Sequence, residues 1–218
     1  MVKCIKSYIK NMNLIIGCTN QCSYCYARTT AKRYFMTEDF SVPVLEERKL
    51  RLIDTKTANN YLMTPMSDFS DWKEEWKDLI FSKIKNNPQN NYIFLTKSPD
   101  KVIFNTNLEN VWMGVTVTSD SEKEIILLLK KNIKAKHYLV GFEPLFSPIN
   151  EIDFDGIEWI VIGTETGKRK GKIEAKKEWI EGIVNQAQRL HIPIFMKEEL
   201  SSIMGADNMI QQMPEEFL

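Results

Sequence analysis

The chain is poor in the residues that mark several common classes of protein. It holds no run of the ~18–20 uninterrupted apolar residues that a membrane-spanning helix needs. Only nine glycines and eight prolines occur, which excludes a fibrous or low-complexity chain. Neither sign of charge is in excess, since 29 Lys and Arg stand against 29 Asp and Glu. A polynucleotide binder that works by counterion release carries a basic surplus, so any such contact here is confined to a local patch. The N-terminal stretch MVKCIKSYIKNMN has lysines but neither an apolar run nor a small-residue cleavage site, unlike a secretory signal. A cytoplasmic location is the default expectation, with no membrane partner. Thiols stay reduced there, so four cysteines point to metal binding or catalysis rather than to a disulfide frame.

What is present is a chain of 218 residues, 43% hydrophobic, enough for one domain with a sizeable core. No internal repeat, Gly/Ser linker or abrupt composition shift divides it, so residues 1–218 read as a single domain.

The cysteines are unevenly placed. Cys4 stands alone and reads as a small buried hydrophobe or an idle thiol. Cys18, Cys22 and Cys25 fall together in GCTNQCSYCYAR, where three soft ligands can wrap one metal centre from a single loop. Zinc wants a fourth protein ligand, usually Cys or His, and the only histidines are the distant His137 and His191. An iron–sulfur cluster held by three cysteines needs no fourth protein ligand when its last iron binds something else. The cluster is the favoured reading and structural zinc the alternative.

Short apolar runs rich in β-branched and aromatic residues alternate with longer amphipathic stretches. The expected strands are Asn13–Ile16, Tyr61–Met63, Tyr92–Thr96, Trp112–Val117, Tyr138–Phe142, Trp159–Ile162 and Ile194–Met196. Between them the pattern predicts helices over Ala27–Phe35, Trp72–Asn86, Ser121–Asn132 and Lys176–Arg189, with N-caps at Asp71 and around Ser119 and Asp120. Such alternation predicts an α/β fold with parallel strands, a partial (βα) barrel of about six to seven βα units. The cysteine loop would follow the first strand. Barrels of this kind build their sites at the carboxyl ends of the strands. There the sequence places Thr64–Phe69, Thr96–Pro99, Gly114–Thr118, Gly141–Leu145, Gly163–Gly167 and Met196–Glu198.

The CxxxCxxC spacing, with Tyr24 before the third cysteine, resembles the signature of radical S-adenosylmethionine enzymes. The phrases FLTKSPDKV, VWMGVTV, GFEPLFSPI, IEWIVIGTETG and PIFMKE are similar to a subfamily of short members first found in phage genomes. The likeness runs from Gly17 to the tail MPEEF. Thr164 departs from a second glycine in the GGE phrase of that subfamily, and Lys197-Glu198 stands where it has Lys-Gln. The resemblance implies a [4Fe-4S] cluster on Cys18, Cys22 and Cys25 whose open iron chelates S-adenosylmethionine. Its reduction yields a 5′-deoxyadenosyl radical, and the resemblance implies that electrons come from a flavodoxin or ferredoxin-like donor. Tyr24 is expected near the adenine. Ser67 and Asp68 are expected at the cofactor's amino group, Lys97 at its carboxylate, and Thr116 or Thr118 at the ribose.

One activity the resemblance implies is queuine lyase, which cleaves a modified deazaguanine base to release its precursor core. A free base suits a chain with no room for an appended recognition domain. Its N–H groups want acceptors such as Asp68, Glu143, Glu165 or Glu198, and its ring wants an aromatic face such as Phe69 or Phe142. Glu143, Glu165 and Lys197 are the expected catalytic groups. A rival reading starts from the basic run Lys168-Arg169-Lys170-Gly171-Lys172 at the rim. Gripping the phosphates of RNA or DNA, it would make the chain a nucleic-acid modification or repair lyase. A third class is an inactive cluster-containing sensing protein.

Overall fold

The computed structural model describes residues 1–218. Seven strands form one sheet: β1 (Ile9–Asn11), β2 (Asn60–Leu62), β3 (Asn91–Thr96), β4 (Val111–Thr116), β5 (His137–Phe142), β6 (Trp159–Ile162) and β7 (Ile194–Met196). They lie side by side in chain order, and every neighbouring pair is parallel. Parallel neighbours require crossovers, and four of these carry helices: α1 (Tyr26–Arg33), α2 (Glu74–Lys85), α3 (Ile125–Asn132) and α4 (Lys177–Arg189). The sheet curls into an open half-barrel, the partial barrel expected. Two crossovers lack a helix of that length. The β3–β4 link has the 3-10 turn Pro99–Lys101 and the two-residue strand Phe104–Asn105, which pairs in parallel with Ile133–Lys134, and the β5–β6 link is a loop punctuated by Pro144, Pro148 and Gly156.

The first strand corrects the sequence reading. The apolar run Asn13–Ile16 is not the edge of the sheet; the more polar Ile9–Asn11 is, pairing with β2. Edge strands commonly carry charged side chains, Lys especially, and Lys10 is exposed here. Ile15–Ile16 instead forms a two-residue antiparallel ribbon with Val44–Leu45. Two expected caps also fall away. Asp68 caps the 3-10 turn Phe69–Asp71, and this pushes the start of α2 to Glu74 with Lys73 at the N-cap. Likewise the turn Asp120–Glu122 absorbs the residues expected to open α3.

Period-two alternation divides the strands between two layers. Tyr92, Phe94, Met113, Val115, Val140, Phe142, Ile160, Ile162, Ile194 and Met196 face outward into the larger core, where the helices pack. Ile9, Ile93, Trp112, Leu139, Trp159, Val161 and Phe195 face inward and form a smaller core with Phe217 from the C-terminal tail. Phe217 plugs the amino end of the half-barrel, its ring 4.9 Å from Trp112 and 5.4 Å from Trp159. The Asn60 and Asn91 side-chain amides hold the tail carbonyls of Phe217 and Glu216 at 2.9 and 2.6 Å. The gap between β1 and β7 is bridged by Gln211. Its amide donates to Lys3 and Met196 carbonyls, and its carbonyl accepts from Lys3 N–H at 2.7 Å.

Candidate functional site

With the amino end plugged, the half-barrel opens only at the carboxyl ends of its strands. A cavity of about 430 Å³ lies there, and its wall includes Cys18, Cys22, Tyr24, Cys25, Ser67, Asp68, Lys97, Thr116, Glu143, Glu165, Lys197 and Glu198. Strand parity explains much of the set. Continuing the inward-facing positions past the strand ends turns Lys97, Glu143 and Lys197 into the mouth, together with Thr116 at the end of β4.

The cysteine loop is anchored from several sides. It leaves the ribbon through Gly17, whose φ of +119° and a Cβ-site only 2.8 Å from Pro43 Cα admit no side chain. Cys18 N–H then donates to Phe40 carbonyl at 2.7 Å, and Asn20 reaches Asp68 at 3.0 Å and Ser98 at 3.2 Å. Cys25 is the N-cap of α1, its sulfur accepting from Arg28 N–H at 3.4 Å. Burial pushes the Cys18 thiol up to about 12. All three sulfur-bearing residues share the cavity wall, but the structure draws no three Cys, His, Asp or Glu side chains into a closed ligand set. Neither histidine lines the cavity.

Asp68 is the hub of the near wall. Its carboxylate accepts from Asn20 Nδ2, Ser70 N–H, Ser70 Oγ, Thr96 Oγ1 and Lys97 N–H. Five donors fill the roughly four lone-pair positions of a carboxylate, so Asp68 ties the cysteine loop to the ends of β2 and β3. Ser67 Oγ accepts from Trp72 Nε1 at 3.0 Å, leaving its own proton free. Lys97 is different. Its Nζ is buried with no hydrogen-bond partner and lies 5.4 Å from the centre of the Tyr24 ring. Burial lowers its pKa, against the opposing pull of Cys22 and three carboxylates. Tyr24 packs edge-on against Phe146 at 5.0 Å, and burial raises its hydroxyl pKa.

Across the cavity Lys197 pairs with Glu143 and lies 4.0 Å from Glu199. Burial disfavours the Lys197 charge, but Glu143 outweighs it and the net pKa is raised. Gly163 leaves room for this pair, since a Cβ there would stand 3.0 Å from Glu143 Cγ and Cδ. Glu198 accepts from the Cys4 thiol at 2.6 Å and from Ile5 N–H, so Cys4 latches the N-terminal segment to the end of β7. Glu165 is almost fully buried and held by Arg169 through Nε at 2.6 Å and Nη2 at 2.8 Å.

Three expected site residues are not in the mouth. Phe142 falls on the outward parity of β5 and is fully buried near Phe154. Phe69 is turned by the 3-10 turn into the outer core against Trp72, Phe81, Phe94 and Phe104. Thr118 lies off the cavity wall, its N–H and hydroxyl both donating to Glu122 at 2.8 and 2.7 Å. The sequence reading also missed wall residues. Tyr26, whose hydroxyl donates to Pro65 carbonyl, follows directly on Cys25, while Ile9, Asn11 and Trp159 become visible only through strand parity.

A family model described as a protein of unknown function, DUF5131, matches residues 5–207. The chain belongs to the DUF5131 family. No curated protein and no solved structure matches it. The DUF5131 match spans every strand of the half-barrel, including the cysteine loop and the Glu165–Arg169 pair, and stops short of the Phe217 plug. Within the basic run of this DUF5131 chain, Arg169 is folded onto Glu165 and Lys172 onto Glu174, which leaves only Lys168 and Lys170 without an ion-pair partner. No helix is long and apolar enough to cross a membrane.

Proposed function

We propose that the chain is a radical S-adenosylmethionine enzyme that fragments a small nitrogen-rich substrate in the mouth of the half-barrel, with queuine lyase as its activity. The carrying observation is the juxtaposition in one cavity wall of three cysteines and the buried, unpartnered Lys97 Nζ. The donor set fits a cluster with three protein ligands. Three thiols face one cavity, Cys4 is taken by Glu198, and no histidine is within the wall. When bound, the [4Fe-4S] cluster and S-adenosylmethionine supply one-electron cleavage of the sulfonium and abstraction of a substrate hydrogen.

The protein's part is to bind, orient and protonate. Lys97 Nζ, uncommitted within the protein, is offered to the cofactor carboxylate, and Ser67, whose bond from Trp72 leaves its hydroxyl proton free, to the amino-group end. Tyr24 presents a ring to the adenine, and Thr116 a hydroxyl to the ribose. Asp68 fixes the loops that carry these groups. On the substrate side Glu143 keeps Lys197 protonated, so Lys197 Nζ delivers a proton to a leaving nitrogen. Glu165 and Glu198 accept N–H groups from the base. The wall aromatic available for stacking is Tyr26, in place of Phe69 and Phe142. A flavodoxin or ferredoxin-like protein of the cytoplasm supplies the electron. The nucleic-acid reading draws less support, because half of the basic rim is committed to carboxylates.

The test is anaerobic reconstitution with iron and sulfide, followed by incubation with queuine. The proposal expects about four iron atoms per chain, their loss in Cys22→Ala, and release of the deazaguanine core. A chain that takes up a single zinc, or that leaves queuine and its relatives intact, contradicts it.

A further inference from the structure

Glu165 forms the only Arg–carboxylate ion pair in the molecule. Arg169 Nε and Nη2 take one position on each oxygen, and Ile173 N–H takes a second on Oε2 at 3.1 Å. Of about four acceptor positions on the carboxylate, one remains, on Oε1. Yet Glu165 lines the cavity. A ligand in the mouth therefore meets a buried carboxylate whose fork is already filled from the rim.

The loop that fills it is built to leave. Gly167 and Gly171 bracket Arg169 with φ of +87° and +75°, and nothing lies within 4 Å of a Cβ placed on Gly167. The remaining guanidinium bonds go to Lys170 and Gly171 carbonyls, which move with the loop. Lys172 pairs with Glu174 at the exposed surface. Beyond the loop, Thr164 Oγ1 accepts from Ala175 N–H at 2.9 Å and pins the chain on both sides. Glu165 is thus the main tether of residues 167–172.

A guanidinium binds a carboxylate through two parallel N–H donors in a plane. The ring N–H and exocyclic amine of a 2-aminopyrimidinone edge present the same pair. We propose that Arg169 is a resident stand-in for the substrate. A planar ligand with two adjacent N–H donors takes Glu165 in its place and releases the 167–172 loop from its tether. This rests on the reading of the cavity as a site for a guanine-like base and makes Glu165 its specificity-determining residue. Discrimination follows, because an analogue with one donor fewer cannot refill the fork it empties.

The experiment is equilibrium binding of 7-deazaguanine and of 7-deazahypoxanthine, which lacks the exocyclic amine, with hydrogen exchange of the loop. In the native chain 7-deazaguanine binds and exchange at Lys168–Lys172 rises. Arg169→Ala and Arg169→Gln bind it about tenfold more tightly, since a competitor occupying the fork ~90% of the time lowers apparent affinity by that factor. Glu165→Gln loses the preference for 7-deazaguanine over 7-deazahypoxanthine. Unchanged or weaker binding in both Arg169 variants, or a loop protected by the ligand, overturns the proposal. So does absence of binding to every variant. None of these outcomes bears on cofactor cleavage, which is measured separately as 5′-deoxyadenosine.

Discussion

Asp68→Asn is the sharpest probe of how the near wall is held. Oδ1 accepts from Ser70 N–H, Ser70 Oγ and Thr96 Oγ1, while Oδ2 accepts from Asn20 Nδ2 and Lys97 N–H. An asparagine keeping its oxygen on the first set turns its NH2 toward the second. Asn20 can flip its own amide and answer with an oxygen, but the Lys97 backbone N–H cannot. The reverse orientation strands Ser70 N–H instead. Either way at least one backbone donor loses a charged acceptor, at about 1.5–3 kcal/mol, with donor facing donor in addition. The expected loss is roughly 2–4 kcal/mol, or a Tm lowered by about 4–16 °C for a chain of this size. Thermal and urea unfolding followed by circular dichroism measure it, with the exposed Asp78→Asn as a control within ~0.5 kcal/mol of wild type. A melting point within a degree of wild type for Asp68→Asn would refute the hub.

Three further outcomes follow from the same geometry. Phe217→Ala removes the plug between Trp112 and Trp159 and costs ~3–5 kcal/mol in urea unfolding, whereas Leu218→Ala, at an exposed end, changes little. Gly17→Ala forces a Cβ into the Pro43 backbone at a positive φ, so we expect a loss of ~2 kcal/mol or more and impaired iron uptake; a neutral result contradicts the assigned loop path. The Arg169 guanidinium holds the Glu165 carboxyl below the usual carboxylate range. A carboxyl depressed on folding stabilises above its unfolded pKa of ~4.3 and loses that contribution as pH falls through the folded value. Wild-type stability therefore drops more steeply below about pH 4.5 than that of Glu165→Gln, and parallel pH–Tm curves would count against the pair.

Much of the fold was legible because buried parallel strands announce themselves as short apolar runs. Trp159–Ile162 and Ile194–Met196 fall where the sequence places them. The edge strand was not, because Ile9–Asn11 buries one side chain in three while the stronger run at Ile15–Ile16 belongs to a ribbon. At the site the strand ends were legible but their parity was not. Phe142 and Glu143 are neighbours in sequence, and one joins the outer core while the other joins the cavity. Alternation holds only within one strand: Leu139, Gly141 and Glu143 share the inner face of β5 and Phe142 takes the other, a parity that no count carried across a loop supplies. Cys4 illustrates the other limit. Nothing local distinguishes it, and its partner Glu198 lies at the far end of the chain.

As proposed, the Cys18, Cys22 and Cys25 loop and the Lys97 wall serve one-electron cleavage of S-adenosylmethionine. The direct measurement is 5′-deoxyadenosine formed by the anaerobically reconstituted protein with a chemical reductant. Steady formation is expected from the native chain and none from Cys18→Ala, Cys22→Ala or Cys25→Ala. Lys97→Met is expected to take up iron normally but to need far more S-adenosylmethionine. No 5′-deoxyadenosine from an iron-loaded native protein, or undiminished formation by a cysteine variant, would overturn the proposal.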